Sequence, residues 1–255
     1  MTTPSWSAGD TARDPDEPQE PAGHEGLSIL PVTGIGEIRP GDDLAGAIAA
    51  CVSLRDHDVV VVTQKVVSKS EGRLVPLDHA DLEARRQVIE DESVRVLRRR
   101  GDLLVCETRH GFICANAGVD LSNVDDGWAA LLPEDPDRSA RRIRDGLRAR
   151  AGVEVAVIVS DTFGRPWRKG VTDVAIGCAG IAAVVDLRGT HDQRGQVLLS
   201  TEVCVVDEIA SAAELVMGKA RGVPVAVVRG VDPGVLRTGS VTDEVLRPPG
   251  EDLFR

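Results

Sequence analysis

Residues 153–162 read Val-Glu-Val-Ala-Val-Ile-Val-Ser-Asp-Thr, a Val-rich run that ends on a carboxylate and a hydroxyl. The run over 153–160 is too short for a core helix and rich in β-branched residues, so it predicts a buried strand. The same signature recurs at 58–63 (DVVVVT), 102–107 (DLLVCE) and 223–229 (VPVAVVR), and more weakly at 183–187 and 196–206. Segments of helical period lie between these runs. Residues 42–53 open with Asp42 and Asp43 and repeat apolar positions at Leu44, Ala47, Ile48 and Cys51. Residues 81–100 are strongly charged and predict a helix with a solvated face. Asp135-Pro136 is an N-cap followed by proline at the first helical position, opening a helix over 135–150 with Ala140, Ile143 and Leu147 on one stripe. A further helix over 207–217 starts with Asp207 and Glu208 and runs to Gly218. The fold class is α+β (mixed α/β), with no internal repeat and a subdomain boundary near 75–100 or 190–200.

The 255 residues carry 41 acids against 30 Lys and Arg, a net charge of −11, with three Trp, three Phe and no Tyr. A nucleic-acid reader needs a basic footprint and aromatic stacking platforms, so that class is excluded. Residues 1–26 hold Asp10, Asp14, Asp16, Glu17, Glu20 and Glu25 against the single Arg13, a net of −5. This Pro- and Gly-rich segment has too little apolar surface to offset ordering, which predicts a disordered acidic leader ahead of one folded region over 27–255. The cysteines at 51, 106, 114, 178 and 204 form no CxxC pair and sit among apolar or small neighbours, as buried reduced thiols do. No secretory signal is present, and no apolar run reaches the roughly 20 residues that span a bilayer. The expectation is a soluble cytoplasmic protein with no membrane partner.

Three segments could carry chemistry. Asp161 and Thr162 would either cap the turn that follows their strand or offer oxygens to a hard cation such as Mg²⁺. The following Gly164-Arg165-Pro166-Trp167-Arg168-Lys169-Gly170 tilts the balance toward a metal–phosphate site, because it sets three cations and a pliant backbone beside the carboxylate. Residues 114–123 (CANAGVDLSN) read as a polar turn with an Asx motif or as a close-approach loop offering Asp120 and Asn123. Residues 63–73 (TQKVVSKSEGR) follow a strand, and their lysines would be solvated or would hold phosphates. Neither a P-loop nor a complete dinucleotide fingerprint is present, since Arg39 takes the third glycine position after Gly34 and Gly36. The arginines at 138, 141, 142, 144, 148 and 150 read as the wet face of a helix, and the five histidines form no zinc pair.

In order along the chain, LPVTGIGEIRPGDDL (30–44), VVVVTQKVVSKSEGR (59–73), ANAGVDLSNV (115–124), LLPEDPDRSARRIR (131–144), VIVSDTFGRPWRKG (157–170) and DEIASAAELVMGKARGVPVAVVRG (207–230) resemble the coenzyme F-420:L-glutamate ligases. The family includes the archaeal CofE proteins and the ligase half of the actinobacterial FbiB proteins. The resemblance runs from about residue 28 to the C-terminus. It implies a CofE-like fold with a two-part core and an intertwined homodimer. It also implies a GTP-dependent ligase using Mg²⁺ or Mn²⁺, with K⁺ as a further ion, that joins L-glutamate to coenzyme F-420-0 and then adds γ-linked glutamates. On the matching positions, Asp120, Asp161 and Thr162 would hold metal. Ile35, Gly36, Glu37, Ile38, Gln64, Lys69, Asn123, Gly218, Lys219 and Gly222 would line the GTP site. Lys69, helped by Arg165 and Arg168, would offset the phosphate charge during catalysis. In the fused proteins a flavin-binding, nitroreductase-like domain follows the ligase half. Another metal- and nucleotide-dependent ligase, or a non-catalytic nucleotide-binding module, are the alternatives to this reading.

Overall fold

The computed structural model describes residues 26–122 and 124–252. Apart from Gly26, the expected leader lies outside the described residues, as does Asn123. Strand β1 (Ser28–Val32) leads through a loop to helix α1 (Leu44–Cys51), and β2 (Val59–Thr63) passes directly into α2 (Gln64–Ser70). Next come β3 (Leu74–Pro76), α3 (Leu82–Asp91), β4 (Ser93–Arg100), β5 (Leu103–Thr108), β6 (Ile113–Ala115) and β7 (Trp128–Ala130). Helix α4 (Pro136–Ala151) precedes a long hairpin of β8 (Ala156–Arg165) and β9 (Arg168–Ala179). The chain continues through β10 (Val185–Asp186), β11 (Glu202–Val203), α5 (Val205–Met217), β12 (Val225–Arg229) and α6 (Val241–Glu244).

The main sheet has the order β1-β12-β2-β8-β9, and β2–β8 is its one parallel pair. Val59 to Val62, Val225 to Val228 and Val157 to Val159 are all fully buried. Successive strand residues point to opposite faces, so continuous burial means that both faces are covered. Helix α4 lies on β8 and β9 with α1 against it, while α5 lies on β9, β12 and β1. The approach of α4 is close: a Cβ on Gly177 would stand 2.3 Å from the carbonyl carbon of Pro136. As expected, Asp135 caps α4, its side chain accepting from Arg138 N, and Gly152 closes the helix at φ 69°. A second, smaller core of Ile89, Leu104, Cys106 and Ala117 sits with α3 and the β4-β5-β6 sheet. The molecule is thus a mixed α/β protein with a two-part core.

Two expectations are corrected. The helix over 81–100 stops at Asp91, and Ser93–Arg100 is a strand paired antiparallel to β5. Its arginines suit an exposed strand face as well as a helix, and most of β4 is exposed. The strand expected over 196–206 shrinks to Glu202–Val203, because α5 begins at Val205. The five cysteines are free, with Cys106, Cys114 and Cys178 buried as expected and Cys51 and Cys204 half-buried.

Candidate active site

Val32, Val225, Val62 and Val159 lie in one register row across β1, β12, β2 and β8. Strands β1, β2 and β8 point the same way past that row. The loop after β1, helix α2, the Asp161-Thr162 pair and the 218–224 loop entering β12 therefore all gather at one sheet edge. Sites in α/β sheets form at such carboxyl ends, where backbone leaves the sheet.

On the α2 side, Lys69 is 9% exposed and its Nζ reaches the Glu37 carboxylate. Two residues expected to line a nucleotide, 32 positions apart, thus meet directly. Ile38 is buried and Ile35 packs against the main core, which anchors the loop that carries Gly36 and Glu37 on the surface. Gln64 is buried, and its Nε2 donates to Ser68 Oγ at 2.8 Å and to Leu131 O at 2.9 Å. That nitrogen is committed to the protein's own frame. Gly218 and Gly222 both adopt positive φ, at 61° and 66°, and bracket Lys219 in the turn after α5.

On the hairpin side, Thr162 and Asp173 are register partners. Asp173 is 1% exposed; it accepts from Thr162 Oγ1 at 2.6 Å, Ser160 Oγ at 3.2 Å and Lys219 Nζ at 2.9 Å. The Lys219 ammonium also donates to the Thr162 hydroxyl. Burial opposes the ammonium charge, but Asp173 and Glu214 outweigh it and raise the Lys219 pKa. Asp120 exchanges backbone hydrogen bonds with Ala130; its carboxylate accepts from Lys65 Nζ at 2.9 Å and from Ser122 N at 2.7 Å. Burial works against the Asp120 charge, yet the bonds from Lys65 and Ser122 hold its carboxyl below the usual range. Asp161 is the opposite case. Burial, joined by the charges of Asp120 and Asp173, pushes its carboxyl up to about 7. Burial and the charge of Asp161 push Cys114 up to about 12, leaving it a neutral thiol.

The groups gathered here, Asp120, Asp161, Asp173, Thr162 and Ser160, are all hard oxygen donors, the kind Mg²⁺ and Mn²⁺ take. The donor set fits such an ion in its chemistry. Among the described residues no three acidic, imidazole or thiol groups already converge on a metal position. Lys65 and Lys219 supply the positive charge beside the carboxylates.

The sequence expectation missed Asp173, and it offered Lys65 as a phosphate holder rather than as the partner of Asp120. Arg165 and Arg168 are not brought to it. They face each other at the exposed hairpin tip, where Arg165 Nη2 donates to Lys169 O at 3.1 Å. Arg165 lies three strand steps beyond Thr162, about 10 Å.

Carboxylates paired with lysines thus gather at one end of a mixed sheet. Residues 34–230 match the F420-0:gamma-glutamyl ligase family. The chain is 42% identical over 250 residues to a coenzyme F420:L-glutamate ligase of Methanothermobacter thermautotrophicus, covering 90% of this chain and 99% of that protein. It is 44% identical over 246 residues to the coenzyme F420:L-glutamate ligase of Methanopyrus kandleri, covering 90% and 98%. The Haloarcula marismortui protein of the same name is 42% identical over 250 residues, covering 90% and 96%. The chain belongs to the F420-0:gamma-glutamyl ligase family and is a ligase that forms carbon–nitrogen bonds.

Proposed function

We propose that this chain joins L-glutamate to the lactyl carboxylate of coenzyme F420-0, with GTP as phosphoryl donor, and then adds γ-linked glutamates. The observation that carries the reading is the Glu37–Lys69 pair and the Asp120–Asp161–Asp173 group at the same end of the sheet, where the segments after β1, β2 and β8 leave it and the 218–224 loop enters it. A carboxylate is a poor acylating agent, so its oxygen attacks the γ-phosphorus of GTP and GDP leaves. The resulting acyl phosphate is attacked at carbon by the glutamate amine, which loses a proton as inorganic phosphate departs.

Each part of the edge has a role in that sequence. The loop Ile35 to Ile38, with Gln64 and the Gly218–Gly222 turn, lines the nucleotide. Lys69, oriented by Glu37, offsets phosphate charge. Asp120, Asp161 and Thr162 would hold Mg²⁺ or Mn²⁺, whose charge stabilises the phosphate oxygens. Arg165 and Arg168 stand outside this group, at the exposed hairpin tip. The same reading makes the protein a cytoplasmic homodimer, which light scattering would report as twice the chain mass.

The test is incubation of folded protein with F420-0, GTP, L-glutamate and either Mg²⁺ or Mn²⁺. Glutamylated product and GDP should form together. No product with either ion would overturn the proposal.

A further inference from the structure

Lys219 is seated as a metal ion would be. Its Nζ lies 2.9 Å from Asp173 Oδ1, 3.5 Å from Glu214 Oε1, and donates to the Thr162 hydroxyl. Thr162 sends its own hydrogen to Asp173 at 2.6 Å, which leaves a lone pair for the ammonium. Asp173 is 1% exposed, and its second oxygen accepts from Ser160 at 3.2 Å. A buried carboxylate oxygen and an oriented hydroxyl lone pair are hard-cation ligands, and here a tethered ammonium occupies both.

We propose that Lys219 is the resident cation of the Thr162–Asp173 half of this site, so that a divalent ion is taken up only on the Asp120–Asp161 side. Asp173 is paired with Lys219 and Asp120 with Lys65, each at 2.9 Å, so among the described residues Asp161 is the carboxylate of this group without an ion pair and the one left for such an ion beside Asp120. A second divalent ion on Thr162 and Asp173 would have to expel the ammonium or sit against its charge. Lys219 is then a specificity-determining residue for cation number. The inference rests on the divalent-ion reading of the proposed function and narrows its ligands to Asp120 and Asp161, because the Thr162 hydroxyl is taken by Lys219 and Asp173.

The test is Mn²⁺ titration of the complex with one equivalent of a non-hydrolysable GTP analogue, reading bound ion from the loss of the free Mn²⁺ electron-spin-resonance signal. The wild type should bind one ion per chain and Lys219→Ala two, with circular dichroism checking the fold. Lys219→Met, which keeps the packing of the arm, serves if the alanine variant does not fold. Two ions in the wild type, or one in both proteins, would overturn the inference. No ion in the wild type and one in the variant would keep the Lys219 assignment and remove the Asp120–Asp161 ion. No ion in either would overturn both.

Discussion

The Thr162 hydroxyl donates to Asp173 Oδ1 at 2.6 Å, across a hairpin that brings together residues eleven apart. Asp173 also holds Ser160 and Lys219, so one buried carboxylate fixes three groups at the site. In Asp173→Asn the amide nitrogen would bring donors against donors. The expected cost is about 1–3 kcal/mol, discounted because Lys219 is itself half exposed. Urea unfolding measures it, and turnover should fall by about tenfold or more. Wild-type stability and turnover in this variant would make the pairing incidental.

Asp161 should trade stability for function. Its folded value of about 7 stands above its ordinary value, so the charged form is disfavoured in the folded protein. Stability is therefore lost as pH rises between the two values, and the loss is complete above about 7. Asp161→Asn should raise stability at pH 8 by about 1–3 kcal/mol, raise it little below pH ~4, and abolish turnover. Thermal unfolding at the two pH values, set beside the ligase assay, checks both halves. A variant less stable than wild type at pH 8 would contradict the electrostatic account.

Asp137 predicts the acid limb of stability. It is 3% exposed and accepts from the backbone nitrogens of Cys178, Val241 and Thr242 and the hydroxyls of Ser240 and Thr242. Burial alone would raise its pKa, but these bonds outweigh it and hold the carboxyl below the usual range. Its contribution is present above the unfolded-state value of about 4 and is lost as pH falls through the lower folded value. Asp137→Asn should cost about 3 kcal/mol at neutral pH and flatten the acid limb, as followed by denaturant midpoints from pH 2 to 7.

The α4–β9 contact predicts a strong asymmetry between two glycines of the hairpin. A methyl group on Gly177 would meet backbone, Pro136 C at 2.3 Å and Asp137 N at 2.6 Å, whereas at Gly164 nothing lies within 4 Å. Gly177→Ala should destabilise by about 2–4 kcal/mol, because α4 must lift from the sheet. Gly164→Ala should stay within about 1 kcal/mol of wild type. Calorimetric midpoints for the two variants settle the comparison.

The β-branched runs made β2, β8 and β12 legible, and Asp135-Pro136 marked the start of α4 to the residue. Strand β4 escaped because Arg and Glu serve a helix face and an exposed strand equally well; the short alternation Val94-Arg95-Val96 was its only mark. The acids at 120 and 161 could be named from their local segments, but their partners could not. Asp173 faces Thr162 only because a register shift falls between Gly164 and Arg165. Counting back from the turn pair Arg165–Arg168 would have put residue 171 there. Lys65 reaches Asp120 across 55 positions of sequence, a contact set by tertiary packing alone.

The most direct measurement of the ligase mechanism uses F420-0 labelled with ¹⁸O in its lactyl carboxylate. If the carboxylate oxygen attacks the γ-phosphorus, that oxygen leaves with phosphate when the amide forms. At the first addition, mass spectrometry should find mono-glutamylated product together with inorganic phosphate carrying one ¹⁸O per molecule. Unlabelled phosphate released in step with the first glutamate, or GDP formed without glutamylated product, would contradict the acyl-phosphate route at this site.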